Sequence, residues 1–405
     1  MLAARPDLFQ TIAGETHVAL AVSGGSDSMA LLRLAHAALI PRRVAGGVVS
    51  VLTVDHGLRT GSDAEAAQVA AVCAALGLPH HTLRWAGPYP ATGLQAKARN
   101  ARYDLMSAWC RANGASALLT AHTVDDQAET VLMRMGRTSS LDSLAGIPAV
   151  GQWDGLKLVR PLLGETRQHL RDYLLDLKAT WIEDPSNADD RFERVRIRKA
   201  LAGLQPLNID ARRLADLAAQ CREAAEALDH LAADFIESAL RIQPQGYGQF
   251  PAESFARLHP GVRLRVLRRV VPYLGSGILP LRAEIARAVT ALEVLGTRRT
   301  LGGALVWARR SEILIAREAG RISADPVIVA AGGSVVWDGR FVVSAPPGTA
   351  VLPARLFPGQ VVSDSRPFAV RQAEPVLRLL DGTVQSVEYG GAAEANATFA
   401  PARRL

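Results

Sequence analysis

The stretch HVALAVSGGSDSMALL, residues 17–32, decides the fold of the first part of the chain. Its first six residues are mostly apolar and predict a buried strand over 17–22. The hexapeptide SGGSDS follows at 23–28, and a helical pattern of apolar residues runs over 27–39. A strand, a glycine-containing turn and a helix in this order are typical of an α/β unit that holds an anion at the turn.

The same alternation of strands and helices continues through the first 180 residues. Strand patterns lie at 48–54, 80–85 and 116–121, and helical patterns lie at 62–77, 94–112 and 124–135. This order predicts right-handed βαβ units. We therefore expect an α/β fold class, a Rossmann-like parallel sheet with helices on both faces.

Polar segments follow three of the four predicted strands. SGGSDS comes after the first strand, DHGLR (55–59) after the second and HTVDD (122–126) after the fourth. The carboxyl ends of parallel strands meet at one edge of a sheet, and ligands of open α/β sheets bind there. We expect the three segments to converge on one binding site.

The chain after residue 205 has a different pattern. Helices are predicted at 209–240, 252–273 and 281–295, and a β-hairpin is predicted within 301–318. The tail is rich in glycine and proline, with short β-like runs such as VVWDGRFVVS (335–344). We predict three domains: an α/β domain at 1–205, a mainly helical domain at 206–322 and a small β-rich domain at 323–405.

The charge of the chain favours a polyanionic partner. The net charge is +7, and from Ile322 onward seven arginines balance seven acidic residues, so the whole excess lies in the first 321 residues. Only four of the 46 basic residues are lysines. Arginine suits bidentate contacts with phosphate, although the base composition of the genome explains such a bias equally well.

The cysteines and the apolar runs exclude several classes of protein. Cys73, Cys110 and Cys221 form no CxxC pair, which argues against a cysteine zinc site or an iron–sulfur cluster. No apolar run approaches the roughly 20 residues that span a bilayer. The N-terminus also lacks a secretory pattern. We expect a cytoplasmic protein without a membrane partner.

The hexapeptide at 23–28 has the parts of an oxyanion cradle. It lacks the lysine and the spacing of a Walker loop and does not match GxGxxG. Its glycines allow backbone amides to approach a ligand, its serines add donors, and the following helix presents its N-terminus. The alternative is that Ser26 or Asp27 is only an ordinary helix N-cap.

This hexapeptide resembles the pyrophosphate loop of the PP-loop ATP pyrophosphatases. The resemblance implies that ATP is cut between its α- and β-phosphates, that a substrate is adenylated, and that a nucleophile then displaces AMP. It also implies that Mg²⁺ takes part, held by Asp27 and Asp55. The implied ATP-binding residues are Ser23, Gly24, Gly25, Ser26, Asp27, Ser28, Asp55 and His56.

Four further segments resemble the tRNA(Ile)-lysidine synthetases, and the resemblance covers about residues 15–200. The segments are VDHGLR (54–59), LQAKARNARYDLM (94–106), AHTVDDQAETVLMRM (121–135) and, after RPLL, WIEDPSNADDRFERVRIR (181–198). The resemblance implies a carbon–nitrogen ligase that joins L-lysine to C2 of cytidine 34 in tRNA(Ile) with a CAU anticodon. ATP would become AMP and diphosphate through an adenylated cytidine. The first domain is then the catalytic PP-loop domain and the second binds tRNA.

One segment carries an imidazole and two carboxylates at helical spacing. If the helix includes all three, His122, Asp126 and Glu129 share a face, which suits the handling of metal ions, amines or protons. The alternative is a capped, solvated helix whose Asp125 and Asp126 favour the helix dipole. The resemblance implies catalytic roles for His122 and Asp126, and lysine binding by Asp126 and Glu129.

Arginines supply the predicted phosphate contacts. Arg99 and Arg102 share one helix face, and Arg191, Arg194, Arg196, Arg198 and Lys199 form a basic run after the turn DPSN (184–187). Surface ion pairs or a solvated helix face are the alternatives. The resemblance implies that Arg194 and Arg198 are catalytic. The implied tRNA-binding residues are Arg99, Arg102, Arg191, Arg265 and Arg268.

The chain departs from the family pattern at two places. Ser139 and Ser140 replace an expected glycine-rich stretch, which affects the flexibility of that loop. Val195 stands where the family tends to have asparagine, and valine cannot supply the hydrogen bonds of an amide.

Three other functions remain open at this point. A PP-loop thiolase that makes 2-thiocytidine or 2-thiouridine needs cysteines that carry sulfur or a cluster, and this chain has no cysteine pair. A small-molecule amidotransferase needs a glutaminase module, for which no nucleophile is evident. A nucleotide-sensing module without catalysis would keep its function when Asp126 is replaced by alanine.

Overall fold

The computed structural model describes residues 6–40, 48–57, 61–87, 92–138, 140–183, 189–331, 333–359, 365–390, 395–401 and 405. The chain divides into two compact units, Met1–Ala225 and Glu226–Leu405. In the described part of the chain, no helix combines the length and the apolar character that a membrane span requires.

The first unit alternates strands and helices as predicted, and a short 3-10 helix at Pro6–Ile12 precedes them. Its strands are β1 (His17–Ala21), β2 (Val48–Asp55), β3 (His80–Arg84), β4 (Ala117–Leu119), β5 (Val150–Trp153) and β6 (Leu156–Val159). Its helices are α1 (Ser26–Leu39), α2 (Ser62–Ala75), α3 (Leu94–Asn113), α4 (Val124–Met135), α5 (Leu141–Leu144), α6 (Arg167–Asp176) and α7 (Glu193–Leu204). The four predicted strands and four predicted helices are confirmed, whereas the β5–β6 hairpin and α6 were not predicted.

The six strands form one sheet in the order β3-β2-β1-β4-β6-β5. Five strands run parallel, and only the edge strand β5 is antiparallel to its neighbour. From β1 the chain passes through α1 to β2 and then to β3 on one side of the sheet, whereas β4 lies on the other side of β1. The order in which strands are added therefore reverses between β1 and β4. Such a reversal opens a crevice at the carboxyl ends of the strands, where ligands bind.

The central strands of the sheet are covered on both faces, which explains why β1, β2 and β4 are mostly apolar. Neighbouring residues of β1 point to opposite faces of the sheet and pack in different apolar cores. Leu20 packs with Leu31 and Leu32 of α1, whereas Ala19 packs with Met106 of α3. All five side chains are at most 1% exposed. The sheet therefore holds the loops at its carboxyl edge on a rigid base.

The second unit begins within α8 (Ala211–Ala239) and continues with a mixed helical and β region. In chain order its next elements are β7 (Arg241–Ile242), β8 (Gly248–Pro251), α9 (Ala252–Arg257), α10 (Pro260–Leu274), α11 (Arg282–Ala291), β9 (Arg298–Leu301), β10 (Ala304–Ala308) and β11 (Glu312–Arg317). The predicted hairpin is confirmed as β10 and β11, but it belongs to a five-stranded sheet ordered β7-β8-β11-β10-β9. The predicted helix at 252–273 is two helices, because Pro260 starts a new one at its first turn.

Two four-stranded sheets complete the second unit. Their strands are β12 (Val327–Ile328), β13 (Ser334–Trp337), β14 (Phe341–Ser344), β15 (Ala350–Pro353), β16 (Pro375–Arg378), β17 (Val384–Ser386), β18 (Glu388–Tyr389) and β19 (Asn396–Phe399), with α12 (Phe368–Arg371) before β16. The predicted β-like run VVWDGRFVVS forms a hairpin, in which Asp338 and Gly339 both have positive φ. The division of this unit into a helical and a β-rich domain stays a prediction.

Candidate active site

The loops after β1, β2 and β4 lie next to one another because β1 pairs with β2 on one side and with β4 on the other. The residues predicted to bind ATP follow β1 and β2, and those predicted to handle lysine and cytidine follow β4. The convergence expected from the sequence is therefore a property of the sheet order.

Gly24 is required by the backbone of the turn SGGSDS. Its φ is +90°, and a Cβ atom there would lie 2.5 Å from Cδ1 of Ile182. The amide of Ile182 also donates a hydrogen bond of 2.9 Å to the carbonyl of Gly24. The turn is thus held against the segment that precedes α7.

The turn presents the N-terminus of α1 without a side-chain cap. Gly25 is the N-cap residue, so Ser26 and Asp27 are not N-caps, contrary to the alternative that the sequence left open. The hydroxyl of Ser28 donates to the Gly25 carbonyl at 2.9 Å and accepts from the Ser23 amide at 3.2 Å. No capping side chain accepts a hydrogen bond from the first-turn amides of α1. Free amides at a helix N-terminus are the groups that bind a phosphate.

The helix α4 begins at Val124, where it was predicted, which is two residues after His122. Thr123 is its N-cap and Asp126 its third residue, and the two form a capping box: the Thr123 amide donates to Asp126 Oδ2 at 2.9 Å. His122 therefore precedes the helix, and the prediction that it shares a helix face with Asp126 and Glu129 is wrong. Its Nδ1 instead lies 2.9 Å from the Thr120 hydroxyl.

Asp126 is a buried carboxylate that stays ionised. Burial alone would raise its pKa, but nearby positive charge and the Thr123 amide outweigh burial and hold the pKa below its usual value. Oδ1 lies 3.7 Å from guanidinium nitrogens of both Arg167 and Arg194. Asp126 thus carries a negative charge at neutral pH in a largely dry site.

Glu129 is 1% exposed, and only one of its two carboxylate oxygens has a partner in the described part of the chain. Its Oε1 accepts a hydrogen bond of 2.5 Å from Arg198 and lies 3.7 Å from Arg167. Among the described residues, nothing hydrogen-bonds to Oε2. A buried carboxylate oxygen without a donor costs free energy, so this atom suits a cationic ligand.

Arg167 joins the turn after β1 to the acidic residues of α4, and the sequence analysis missed it. Its Nε donates to Asp27 Oδ2 at 3.1 Å, and its other nitrogens lie 3.7 Å from Asp126 and Glu129. Burial lowers the pKa of Arg167, but these carboxylates outweigh burial and raise it. The position of Arg167 in the chain could have revealed it, because Arg167 begins α6, the first helix after the parallel strand β6. Because β6 was not predicted, Arg167 was not expected at this edge of the sheet.

The other side of His122 is positively charged. Burial lowers the pKa of His122 to about 4, and Arg160, Arg99 and Arg194 add to this effect. The imidazole is therefore neutral at physiological pH. Arg160 is 8% exposed and donates to the Pro148 carbonyl at 2.8 Å. The site thus has an acidic side at Asp126 and Glu129 and a basic side around His122.

Asp55 and His56 occupy the end of β2 as expected. The Gly57 amide donates to Asp55 Oδ1 at 2.9 Å, and this bond lowers the pKa of the carboxyl group. His56 Nε2 lies 3.4 Å from a guanidinium nitrogen of Arg102, and burial lowers the pKa of the imidazole. Arg102 is thus an active-site neighbour, while Leu58 and Arg59 of DHGLR lie outside the described residues.

The predicted basic stripe after residue 190 divides into two sets. Arg194 and Arg198 on α7 reach Asp126 and Glu129. Arg191 instead pairs with Asp189 at 2.6 Å at the surface, and Lys199 pairs with Asp190 at 2.6 Å. The stripe is therefore not a continuous phosphate-binding face, and the turn DPSN lies outside the described residues.

The two predicted tRNA contacts on α10 differ in accessibility. Arg265 is 4% exposed, and its guanidinium donates to Asp229 of α8 at 2.8 Å. Such a buried side chain cannot lie on a tRNA-binding surface, so we do not retain Arg265 in that role. Arg268 is partly exposed.

The departures from the family pattern have local explanations. Ser140 is the N-cap of α5 and accepts from the Ser143 amide at 3.4 Å, whereas Ser139 lies outside the described residues. The loop is held by Gln127, whose side chain exchanges hydrogen bonds of 2.8 and 2.6 Å with the backbone of Ile147. Val195 is 6% exposed and faces away from solvent.

The cysteines do not take part in the site. Cys73 and Cys110 belong to the two apolar cores of the first unit, and burial raises the pKa of each thiol to about 11. Cys221 is also buried. None of the three fits the role of a sulfur carrier, which needs an accessible thiolate.

The predicted magnesium ligands fit an ion that is shared with a nucleotide. Asp27 is a partly buried carboxylate of the phosphate turn, and Asp55 is an ionised carboxylate at the end of the neighbouring strand. In the described ranges, no group of three or more His, Cys, Asp or Glu side chains could hold a metal by itself. Mg²⁺ commonly takes one or two carboxylates together with phosphate oxygens and water.

Comparison with known proteins gives consistent matches. A family model described as a PP-loop domain matches residues 3–204. The tRNA(Ile)-lysidine synthase of Ruegeria pomeroyi is 42% identical over 336 residues, which cover 81% of this chain and 76% of that protein. The tRNA(Ile)-lysidine synthase of Bradyrhizobium diazoefficiens is 40% identical over 79% of this chain and 92% of its own length. The likeness extends well beyond the PP-loop match.

Solved structures show a more distant likeness. The U34-tRNA thiolase NcsA from Methanococcus maripaludis, with its [4Fe-4S] cluster, has a TM-score of 0.47 and 14% identity, covering 55% of this chain and 77% of that chain. The NH3-dependent NAD synthetase from Campylobacter jejuni has a TM-score of 0.32 and 14% identity, covering 55% of this chain and 90% of that chain. Likeness at this level is too low to bear on function.

Proposed function

The chain belongs to the tRNA(Ile)-lysidine synthase family of PP-loop proteins, and from this membership we propose the reaction of its active site. The protein is an ATP-using ligase that acts on tRNA(Ile). We propose that it joins L-lysine to C2 of cytidine 34 in tRNA(Ile) with a CAU anticodon. The observation that carries the proposal is the buried Glu129, whose Oε2 has no partner among the described residues. Glu129 and Asp126 both lie 3.7 Å from Arg167, so the two carboxylates belong to one site.

The first half of the reaction is adenylation of the cytidine. Its O2 attacks the α-phosphorus of ATP, the bond between the α-phosphorus and the bridging oxygen breaks, and diphosphate leaves. The amides at the start of α1 and the hydroxyls of Ser23, Ser26 and Ser28 bind the departing phosphates. A magnesium ion, when bound at Asp27 and Asp55, would supply positive charge to the diphosphate oxygens.

The second half is attack by lysine. Its reacting amine bonds to C2, the bond between C2 and O2 breaks, and AMP leaves. The ammonium group that does not react binds Glu129 Oε2, a buried acceptor next to the ionised Asp126. The reacting amine is nucleophilic only when it is delivered without its extra proton, and Arg194 and Arg198, which pair with Asp126 and Glu129, lie beside this acidic side of the site.

His122 contacts the cytosine instead of accepting a proton. Its pKa of about 4 makes the imidazole neutral and weakly basic at physiological pH. A neutral imidazole presents one donor and one acceptor nitrogen, which suits hydrogen bonding to a pyrimidine edge. Arg99 and Arg102 lie on the basic side of the site, where they can bind the phosphates that flank cytidine 34.

The test separates the two halves of the reaction. ATP–diphosphate exchange that depends on CAU tRNA(Ile) reports adenylation, and mass spectrometry of position 34 reports lysine transfer. In Glu129→Gln, exchange should persist while the KM for lysine rises about tenfold to hundredfold, as for loss of a hydrogen bond to a charged group. Glu193→Gln, which alters an exposed pair with Arg137, is the matched control and should leave both activities unchanged.

Two results would contradict the proposal. If wild-type protein transfers no lysine to any isoleucine tRNA, the reaction is wrong. If Glu129→Gln keeps the wild-type KM for lysine while transferring it, the reaction stands but lysine binds elsewhere.

A further inference from the structure

The five-stranded sheet of the second unit ends in a basic edge strand. β9 pairs with β10 on one side only and lies last in the sheet order. Arg298, Arg299 and Thr300 are all exposed on it. An edge strand with its own unpaired backbone groups and charged side chains is open to a binding partner.

One face of this edge carries a stack of two guanidinium groups on an indole ring. Arg298 stands opposite Trp307 in the antiparallel register, and its Cζ lies 3.9 Å from the centre of the indole ring. Cζ of Arg309 lies 5.1 Å from the same ring centre. Trp307 is only partly buried, so this large aromatic side chain lies at the surface next to two cations.

The other face of the edge borders a basic cleft. Arg299 stands opposite Val306 instead of Trp307, so it projects from the opposite face of the strand. It lines a cleft of about 540 Å³ together with Arg287 of α11 and Arg321. Of the two carboxylates there, Glu318 pairs with Arg321 at 3.3 Å, and Glu284 accepts from the Leu281 amide at 2.9 Å.

Two of the arginines at this edge are ion-paired, Arg309 with Glu312 at 2.6 Å and Arg321 with Glu318 at 3.3 Å, whereas three are not paired within the part of the chain that the structure describes. Some other arginines of the unit also pair with carboxylates, as Arg263 does with Glu293 and Arg317 with Asp338. Among the described residues, Arg287, Arg298 and Arg299 form no ion pair with a carboxylate. Unpaired guanidinium groups on both faces of one short strand create a positive potential that attracts a polyanion.

We propose that Arg287, Arg298, Arg299 and Trp307, here named the β9 edge, bind the sugar-phosphate backbone and one unstacked base of the substrate tRNA. This inference rests on the proposed function, which makes tRNA the substrate. Guanidinium groups bind phosphates, and nucleobases stack on aromatic rings and on arginine planes. A second copy of the chain is disfavoured at this edge, because pairing two such strands would oppose like charges.

The test measures tRNA binding against salt concentration with the whole protein. The double variant Arg298→Gln/Arg299→Gln should bind tRNA(Ile) about tenfold more weakly at 0.1 M salt. The slope of log K against log salt should fall by about 0.7–0.9 for each lost phosphate contact. Trp307→Phe keeps a smaller ring and should weaken binding severalfold without changing that slope. Arg257→Gln, an exposed arginine paired with Glu253, is the matched control and should bind like wild type.

The outcomes separate this inference from the proposed function. Unchanged affinity and salt slope in the double variant would overturn the β9 edge as a tRNA site. A change in oligomeric state, seen by light scattering, with unchanged tRNA binding would also overturn it, in favour of self-association. If the double variant loses affinity while wild-type protein binds tRNA(Ile) but transfers no lysine, the β9 edge stands and the proposed reaction fails.

Discussion

Replacing Arg167 by glutamine tests the electrostatic arrangement of the active site most directly. The guanidinium donates to Asp27 at 3.1 Å and lies 3.7 Å from Asp126 and from Glu129, while the Arg167 side chain is only 21% exposed. Glutamine keeps a similar reach but removes the positive charge. Three carboxylates would then lose a shared counter-charge in a largely dry site.

The loss of unfolding free energy in Arg167→Gln depends on which ion pairs of the three carboxylates remain. Removing one partner of a buried ion pair typically costs about 3–5 kcal/mol of unfolding free energy. Asp126 keeps Arg194, and Glu129 keeps Arg198, so the main loss is the hydrogen-bonded pair with Asp27. We therefore expect the lower end, about 3 kcal/mol. At about 2–4 °C per kcal/mol, the Tm of the first unit should fall by about 6–12 °C.

The pH dependence identifies Asp27 as the cause. Burial raises the pKa of Asp27 above its usual value, and Arg167 opposes this shift. Without Arg167 the pKa rises further. A carboxyl group whose pKa is higher in the folded state favours folding at low pH, and this contribution is lost as pH rises through the folded-state pKa. The variant's deficit should therefore be larger at pH 7.5 than at pH 4.5.

Scanning calorimetry of wild type and Arg167→Gln at these two pH values is the assay. Arg111→Gln is the control, because Arg111 pairs with Asp154 at the surface of the same unit and the pair contributes less than about 1 kcal/mol. An Arg167→Gln deficit that is equal at both pH values, or no larger than that of the control, would refute the electrostatic reasoning.

Three further predictions concern single residues. Gly24→Ala should weaken ATP binding by at least tenfold and lower the free energy of unfolding by about 1–3 kcal/mol, because φ is +90° and the added Cβ would lie 2.5 Å from Ile182. Gly25→Ala, where φ is −70°, is the control and should lower the free energy of unfolding less, as measured by calorimetry. His122 has a pKa of about 4, so the folded protein binds fewer protons than the unfolded chain between about pH 4 and 6.5. Its stability should therefore fall as pH drops through this window, and an imidazole that titrates near 6.5 by NMR would contradict this. Arg265→Gln should lower the Tm, because it weakens the hydrogen bond of a buried guanidinium to the half-exposed Asp229, with an unfolding cost of about 1.5–3 kcal/mol, and leave tRNA affinity unchanged in filter binding.

The α/β architecture could be predicted because its signals are local. The strand at 17–22, the turn at 23–28 and the helix after them each show in the pattern of apolar, glycine and serine residues. The same reasoning placed Asp55 and Asp126 at one sheet edge, because parallel strands align their carboxyl ends. Short edge elements such as β5 and β6, at four residues each, carry too little periodicity to be recognised.

Side-chain partners could not be predicted in the same way. Arg194 and Arg191 stand three residues apart in one basic run, yet one faces Asp126 and the other pairs with Asp189 at the surface. Arg265 sits among exposed-looking arginines of α10 but is buried against Asp229. Helix rotation and packing against distant elements decide which arginine is accessible, and sequence spacing does not contain that information.

The sequence by itself determined the PP-loop turn, the parallel sheet and the acidic helix, because periodicity and turn chemistry act over a few residues. Only the tertiary structure decided that Arg167, 140 positions from Asp27, pairs with it, and that one oxygen of Glu129 has no partner among the described residues. Charges in a buried site interact through space at distances of 3–4 Å. Their balance is therefore set by the fold that brings distant segments together.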